Sequence, residues 1–187
     1  MLTVQQIQDG LKATGERLDW ESEVEIVLAG AAACLLTGVM GQTLTTVDCD
    51  VLDFSPQTVR DAVMRAGKEA ASALGLPPAW LNDDVRNMEA DLDMMPLGWQ
   101  KRLHEVGTFG KLRVRALDRF DLLATKLFAG RAKDRHHLVD MKPTRDEVIR
   151  LREYVQSLHE TYWRNRDGDR IGRITLILDG LEKETLP

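Results

Sequence analysis

Two aspartates one residue apart, Asp48 and Asp50 in "TTVDCDVLDF", are the first residues whose spacing could do chemistry. In an extended strand, residues i and i+2 project to the same side, so the two carboxylates emerge together. Unpaired, they repel, and each then holds its proton more tightly or shares a cation. A structural use competes: the pair could close a strand end against Arg113 or Arg115 on a neighbouring strand. Charge along the chain is uneven in a way that suits a cation, although composition alone favours scattered surface charge. Residues 101–173 hold 18 basic and 11 acidic residues, whereas the remainder holds 7 basic and 19 acidic. An acidic pocket facing a basic wall suits a cation that bridges to a polyanion, such as a metal with a nucleotide phosphate.

These groups need elements to position them. "TVQQIQDGLKATGERLDW" carries apolar residues at Val4, Ile7, Leu11 and Leu18, an amphipathic helix pattern. "VEIVLAG" is a β-branched, buried strand ending at Gly30, and "AAACLLTG" a short helix stopped at Gly38. "TVDCDVLDF" is a second strand. Ser55 as N-cap and Pro56 at the first helical position predict a helix that closes at Gly75. Residues 77–99 read as irregular, rich in Pro, Asn, Asp and Gly. "KRLHEVGTFGKLRVRAL" reads as two strands joined by a Gly-containing turn. From Asp118 the pattern is helical through Met141, then again after Pro143-Thr144; the tail "DRIGRITLILDGLEKE" fits a helical stripe at Ile171, Ile174, Ile177 and Leu178. The expectation is one domain over 1–187, a mixed α/β core at 24–117 followed by a mainly helical portion at 118–187.

Composition bounds the class. With 187 residues, 43% hydrophobic and 29% charged, the chain can bury a sizeable core. The start "MLTVQQIQDGLK" has no basic n-region or apolar run, and no window reaches the roughly 18 apolar residues of a membrane span. Cys34 and Cys49 lie in segments that read as buried, without a metal-type spacing partner. A reduced, cytoplasmic protein without a membrane partner is expected. Asp134, His136, His137 and Asp140 have helical spacings but read as surface polar residues. Asp167 and Asp169 flank Gly168 in a turn. Trp80, Trp99 and Trp163 read as packing anchors; aromatics at 5% argue against a single-strand nucleic-acid binder.

"VLAGAAACLLTG" followed by "TTVDCDV" resembles the opening of the nucleotidyltransferase superfamily, a glycine turn after one strand and Asp-x-Asp on the next. "WLNDD", "GWQKRL" and "DLLATKLFAGRAKD" resemble a bacterial branch of it related to the AbiEii-type toxins of type IV toxin–antitoxin systems, over roughly residues 24–141. The resemblance implies a nucleotidyltransferase-like mixed sheet flanked by helices. It implies metal-dependent transfer of a nucleoside monophosphate from a nucleoside triphosphate to a hydroxyl of protein or RNA. Asp48 and Asp50 would hold Mg²⁺ (or Mn²⁺), two ions about 4 Å apart in such reactions. Gly30, at a helix N-terminus, would offer backbone N–H groups to the triphosphate. Lys126 and Lys133 would neutralise phosphate charge, on one helix face with Gly130 leaving room between them. Asp134 would orient Lys126 or help activate the acceptor hydroxyl. A cognate antitoxin or toxin protein would be a further partner.

The chain departs from the family pattern in places. The usual double glycine is Ala29-Gly30. A basic residue often found four positions before the first aspartate is Leu44, and a second acid expected after the Lys-Asp pair is His137. Active members use a third carboxylate, for which Asp53, Asp91 and Asp93 are candidates. The rival reading is therefore a catalytically degenerate binding module on the same fold, an antitoxin-like partner or nucleotide sensor.

Overall fold

A computed structural model describes residues 1–41, 44–87, 95–162 and 168–185. A sheet of order β3-β2-β1-β5-β4 lies at its centre. The strands are β1 (Val24–Ala29), β2 (Cys49–Ser55), β3 (Leu81–Asn82), β4 (His104–Phe109) and β5 (Leu112–Ala116). β1 runs antiparallel to β2 and parallel to β5; β2 and β3 are parallel, and β4 returns antiparallel on β5. This mixed sheet is flanked by helices, with a helical C-terminal portion, as a nucleotidyltransferase-like fold requires. Being central, β1 is buried along nearly its whole length, which explains its run of apolar residues.

Helix α1 (Val4–Arg17) starts with a capping box: the Thr3 hydroxyl accepts from the Gln6 N–H, and the Gln6 side chain accepts from the Thr3 N–H at 3.0 Å. Its Ile7 and Leu11 are fully buried. Gly15 backs onto the Phe109 carbonyl and the Leu112 side chain, where a Cβ would collide with main chain. Helix α3 (Arg60–Leu74), with Ala62, Ala66, Gly67 and Ala70 buried, packs against α1, and the Trp80 ring lies against Gly10 of α1. The Trp80 ring is wholly buried, and its indole N–H donates to the Gly67 carbonyl at 2.9 Å, the packing role expected of it. Trp99 is half-buried against the same core, and Cys34 and Cys49 are free and buried.

The chain departs from the sequence expectation in several places. Ser55 and Pro56 do not begin α3. Ser55 is the last residue of β2, opposite Glu25, and one 3-10 turn at Gln57–Val59 intervenes before Arg60. β2 begins at Cys49, so Asp48 lies just ahead of the strand. The segment read as irregular contains β3, a two-residue fifth strand. The helical stretch after Asp118 is two helices, α4 (Arg119–Ala129) and α5 (Ala132–Asp140), because Gly130 takes a left-handed φ of 56° and caps α4. Helices α6 (Arg145–Tyr162) and α7 (Gly168–Thr185) follow, α7 burying Ile174 and Leu178 as its stripe predicts. Asp91, Asp93, Trp163 and Asp167 lie outside the described residues. Among the described residues, no helix is long and apolar enough to cross a membrane.

Candidate functional site

The site begins where β1 ends. Ala29 lies opposite Asp50 across the β1–β2 pair, and Gly30 opens helix α2 (Gly30–Leu36) with φ of 70°. A Cβ at Gly30 would overlap the Asp50 carboxylate, so this position needs glycine for both its conformation and the close approach. Asp48 stands one step outside the strand. The segment before it is tied down by a short bridge in which the Leu2 N–H donates to the Thr46 carbonyl at 2.6 Å and the Thr46 N–H returns to Leu2 at 3.0 Å. On the other side of Asp50, in register on β3, stands Asn82, whose side-chain oxygen accepts from the Asp84 N–H at 3.0 Å.

A cavity of about 500 Å³ opens here. Gly30, Asp48, Asp50, Asn82 and Asp84 form its acidic wall; Lys126, Arg131, Lys133, Asp134 and His137 face them; Val85, Met95 and Phe128 add an apolar side. The cavity thus gathers Gly30, Asp48, Asp50, Lys126, Lys133 and Asp134 into one place.

The geometry of the lysines differs from expectation. On a continuous helix, residues 126 and 134 would stand about 12 Å apart along the axis. The break at Gly130 folds α5 back, and the Lys126 ammonium donates to the Asp134 carboxylate at 3.2 Å. Lys126 and Lys133 therefore sit on separate helices, Lys126 buried at 5% exposure and Lys133 exposed. Asp134 is not a surface residue but wholly buried. The Arg131 guanidinium donates to it at 2.6 Å. Burial raises the Asp134 pKa, but the Arg131 hydrogen bond and Lys126 outweigh it and hold the group below its ordinary value. His136 is exposed and turned to the Ala132 carbonyl, 2.8 Å away.

Asp50 behaves oppositely. Burial first, then the Asp48 charge, push its pKa up to about 6, against the pull of Lys126, Lys133 and Arg131. Such a carboxylate, short of compensating partners, is relieved by a cation. Arg113 and Arg115 do not supply that relief. Arg113 pairs with Glu105 at 2.8 Å and Glu25 at 3.6 Å, and Arg115 with Glu25 at 3.0 Å. Asp53 accepts from Gln57 at 2.6 Å and stands outside the cavity lining. Asp48 and Asp50 offer hard oxygen donors from one site, and Mg²⁺ is commonly held by one or two carboxylates with water completing its shell. The donor set fits that ion. Among the described residues, no group of three His, Cys, Asp or Glu side chains gathers closely enough to hold a metal.

Sequence reasoning missed Arg131, Asn82 and Asp84 as parts of the site. Asn82 and Asp84 belong to "WLNDD", quoted above only for its resemblance, and nothing in their spacing links them to Asp50; the β2–β3 register does. Arg131 carried one local signal, its position three residues before Asp134.

No curated protein and no solved structure matched the chain in comparison. A family model described as "Nucleotidyltransferase of unknown function (DUF6036)" matches residues 5–146, a span that includes the sheet, the Asp pair and the whole cationic wall. With the mixed sheet and the acidic-against-basic cavity already described, that match places the chain: it belongs to this nucleotidyltransferase family.

Proposed function

We propose that the cavity binds a nucleoside triphosphate with Mg²⁺ or Mn²⁺ and transfers its nucleoside monophosphate to a hydroxyl of RNA or protein. The observation that carries this reading is the opposition, across one cavity, of the Asp48/Asp50 pair and the Lys126/Lys133/Arg131 cations. Asp48 and Asp50 would hold the metal, which when bound neutralises phosphate charge. Lys126 and Lys133 place positive charge against the triphosphate. Lys126 is held in place by its ion pair with Asp134, a preorganised charge of the kind that lowers barriers to phosphoryl transfer. Gly30 lets the chain turn tightly beside Asp50 and leaves its backbone uncovered for a phosphate to approach. Asp84, on the same wall, supplies a further carboxylate at the cavity. The AbiEii-type relationship, and with it a cognate antitoxin or toxin partner, belongs to this proposal and is supported by the Lys126–Asp134 spacing.

A second reading has its own support. Because no three acidic or metal-binding side chains gather among the described residues, a non-catalytic nucleotide-binding module on this fold is the alternative. Calorimetric titration of Mg²⁺ or Mn²⁺ with each nucleoside triphosphate, into wild type and into the Asp48→Asn/Asp50→Asn variant, tests the site. Metal-dependent binding lost in the variant is expected; no binding to wild type would sink both readings. Transfer of labelled nucleotide to RNA or protein then separates enzyme from sensor.

A further inference from the structure

The basic wall holds one group that the reading above leaves unused. His137 lines the cavity from α5, yet its Nδ1 is sealed from solvent and meets no hydrogen-bond partner among the described residues. The ring therefore offers the cavity its other edge. An imidazolium carries a proton on both nitrogens, and a buried N–H with no acceptor bears its full desolvation cost. The sealed Nδ1 thus opposes protonation. So do the surroundings: burial first, then Lys126 from α4 and Lys133 on its own helix, hold the His137 pKa down, against Asp134 and Asp140.

A neutral ring beside two lysines adds little for an anion. It suits an uncharged polar group, and a hydroxyl suits it best, because a hydroxyl both donates and accepts and so satisfies either tautomer. Lys133 and His137 are four apart on α5, neighbours on one helix face about 6 Å apart. That spacing matches a phosphate at one and a sugar hydroxyl at the other. We propose that His137 is a specificity-determining contact for a ribose hydroxyl of the bound nucleotide, made through the ring edge that faces the cavity. This rests on the nucleotide reading of the site.

The test compares Mg²⁺ complexes of ribo-, 2′-deoxy- and 2′,3′-dideoxynucleoside triphosphates by calorimetry, on wild type, His137→Ala and His137→Gln. Wild type should prefer the ribonucleotide over at least one deoxy form by about threefold to tenfold, the worth of one neutral hydrogen bond. His137→Ala should bind all forms alike, at the affinity wild type has for the disfavoured one, and His137→Gln should restore part of the preference. Should the alanine variant fail to fold, His137→Phe keeps the ring shape without its nitrogens and makes the same comparison. A wild-type protein that binds nucleotide without preference, or a variant that keeps the full preference, overturns the inference while leaving the site reading intact. Wild type that binds no nucleotide overturns both.

Discussion

Asp50→Asn should make the metal-free protein more stable at neutral pH. The carboxylate's pKa is raised from 3.8 to about 6, so the folded state prefers the neutral form. The sign follows from linkage. A raised folded pKa gives stability that is present below the unfolded value and is lost as pH rises through the folded one. The span from 3.8 to about 6 is worth at most about 3 kcal/mol at 1.36 kcal/mol per pH unit. Because the side chain keeps some exposure, we take about 2 kcal/mol. Asparagine has nearly the same shape and cannot ionise, so it escapes this loss. In chelator, urea unfolding should show the variant and wild type nearly equal at pH 4 and the variant ahead by about 2 kcal/mol at pH 8, a rise in Tm of roughly 4–8 °C. Adding Mg²⁺ should then stabilise wild type and leave the variant unmoved. A variant advantage that is the same at both pH values, or a variant weaker than wild type at pH 8 in chelator, would refute the argument that burial and Asp48 load this carboxylate.

The Lys126–Asp134 pair predicts an asymmetry. Asp134→Asn leaves the Lys126 charge buried beside a neutral group and should cost about 3–5 kcal/mol. Lys126→Met leaves Asp134 held by Arg131 and should cost no more than about 2 kcal/mol; equal losses in chemical denaturation would contradict the role given to Arg131. Gly30→Ala forces a Cβ into a left-handed turn, at about 1–2 kcal/mol, and pushes the Asp50 carboxylate aside. Its Mg²⁺ affinity, read by calorimetry, should therefore fall more than its stability does, and unchanged affinity would separate Gly30 from the site.

How much of this was legible in the residues depended on how local the cause was. The Asp48/Asp50 pair and Gly30 are readable as neighbours of one cavity because their causes are local, a close sequence spacing and a glycine after a buried strand. This holds even though β2 begins at Cys49 and strand alternation does not reach Asp48. The Lys126–Asp134 relation showed in spacing, but its geometry did not. Gly130 read as room on a helix face, whereas its left-handed conformation ends the helix and turns a separation of eight residues into an ion pair. A basic residue straight after a glycine, with a new acidic first turn at Asp134, was the signal for that break. β3 was unreadable because two residues carry no period, and with it went Asn82, which reaches Asp50 only through strand register. Ser55–Pro56 looked like a helix start since local propensity favours it; pairing of Ser55 with Glu25 extended the strand instead. Asp134 and His137 looked solvated because α5 is largely polar, and only the fold-back at Gly130 buries one and half-buries the other.

The fold-back has a consequence in time. Chains emerge from synthesis N-terminus first, at about 5–20 residues per second. The Asp48/Asp50 pair is therefore made several seconds before Lys126, Arg131 and Lys133 exist. β1 also waits for β5, its parallel neighbour. Until residue 134 has emerged and α5 has turned back at Gly130, the nascent chain carries the acidic wall without its counterpart. The cavity is a property of the finished polypeptide, so an interrupted chain that ends before Lys126 presents the aspartates and no cationic wall to face them.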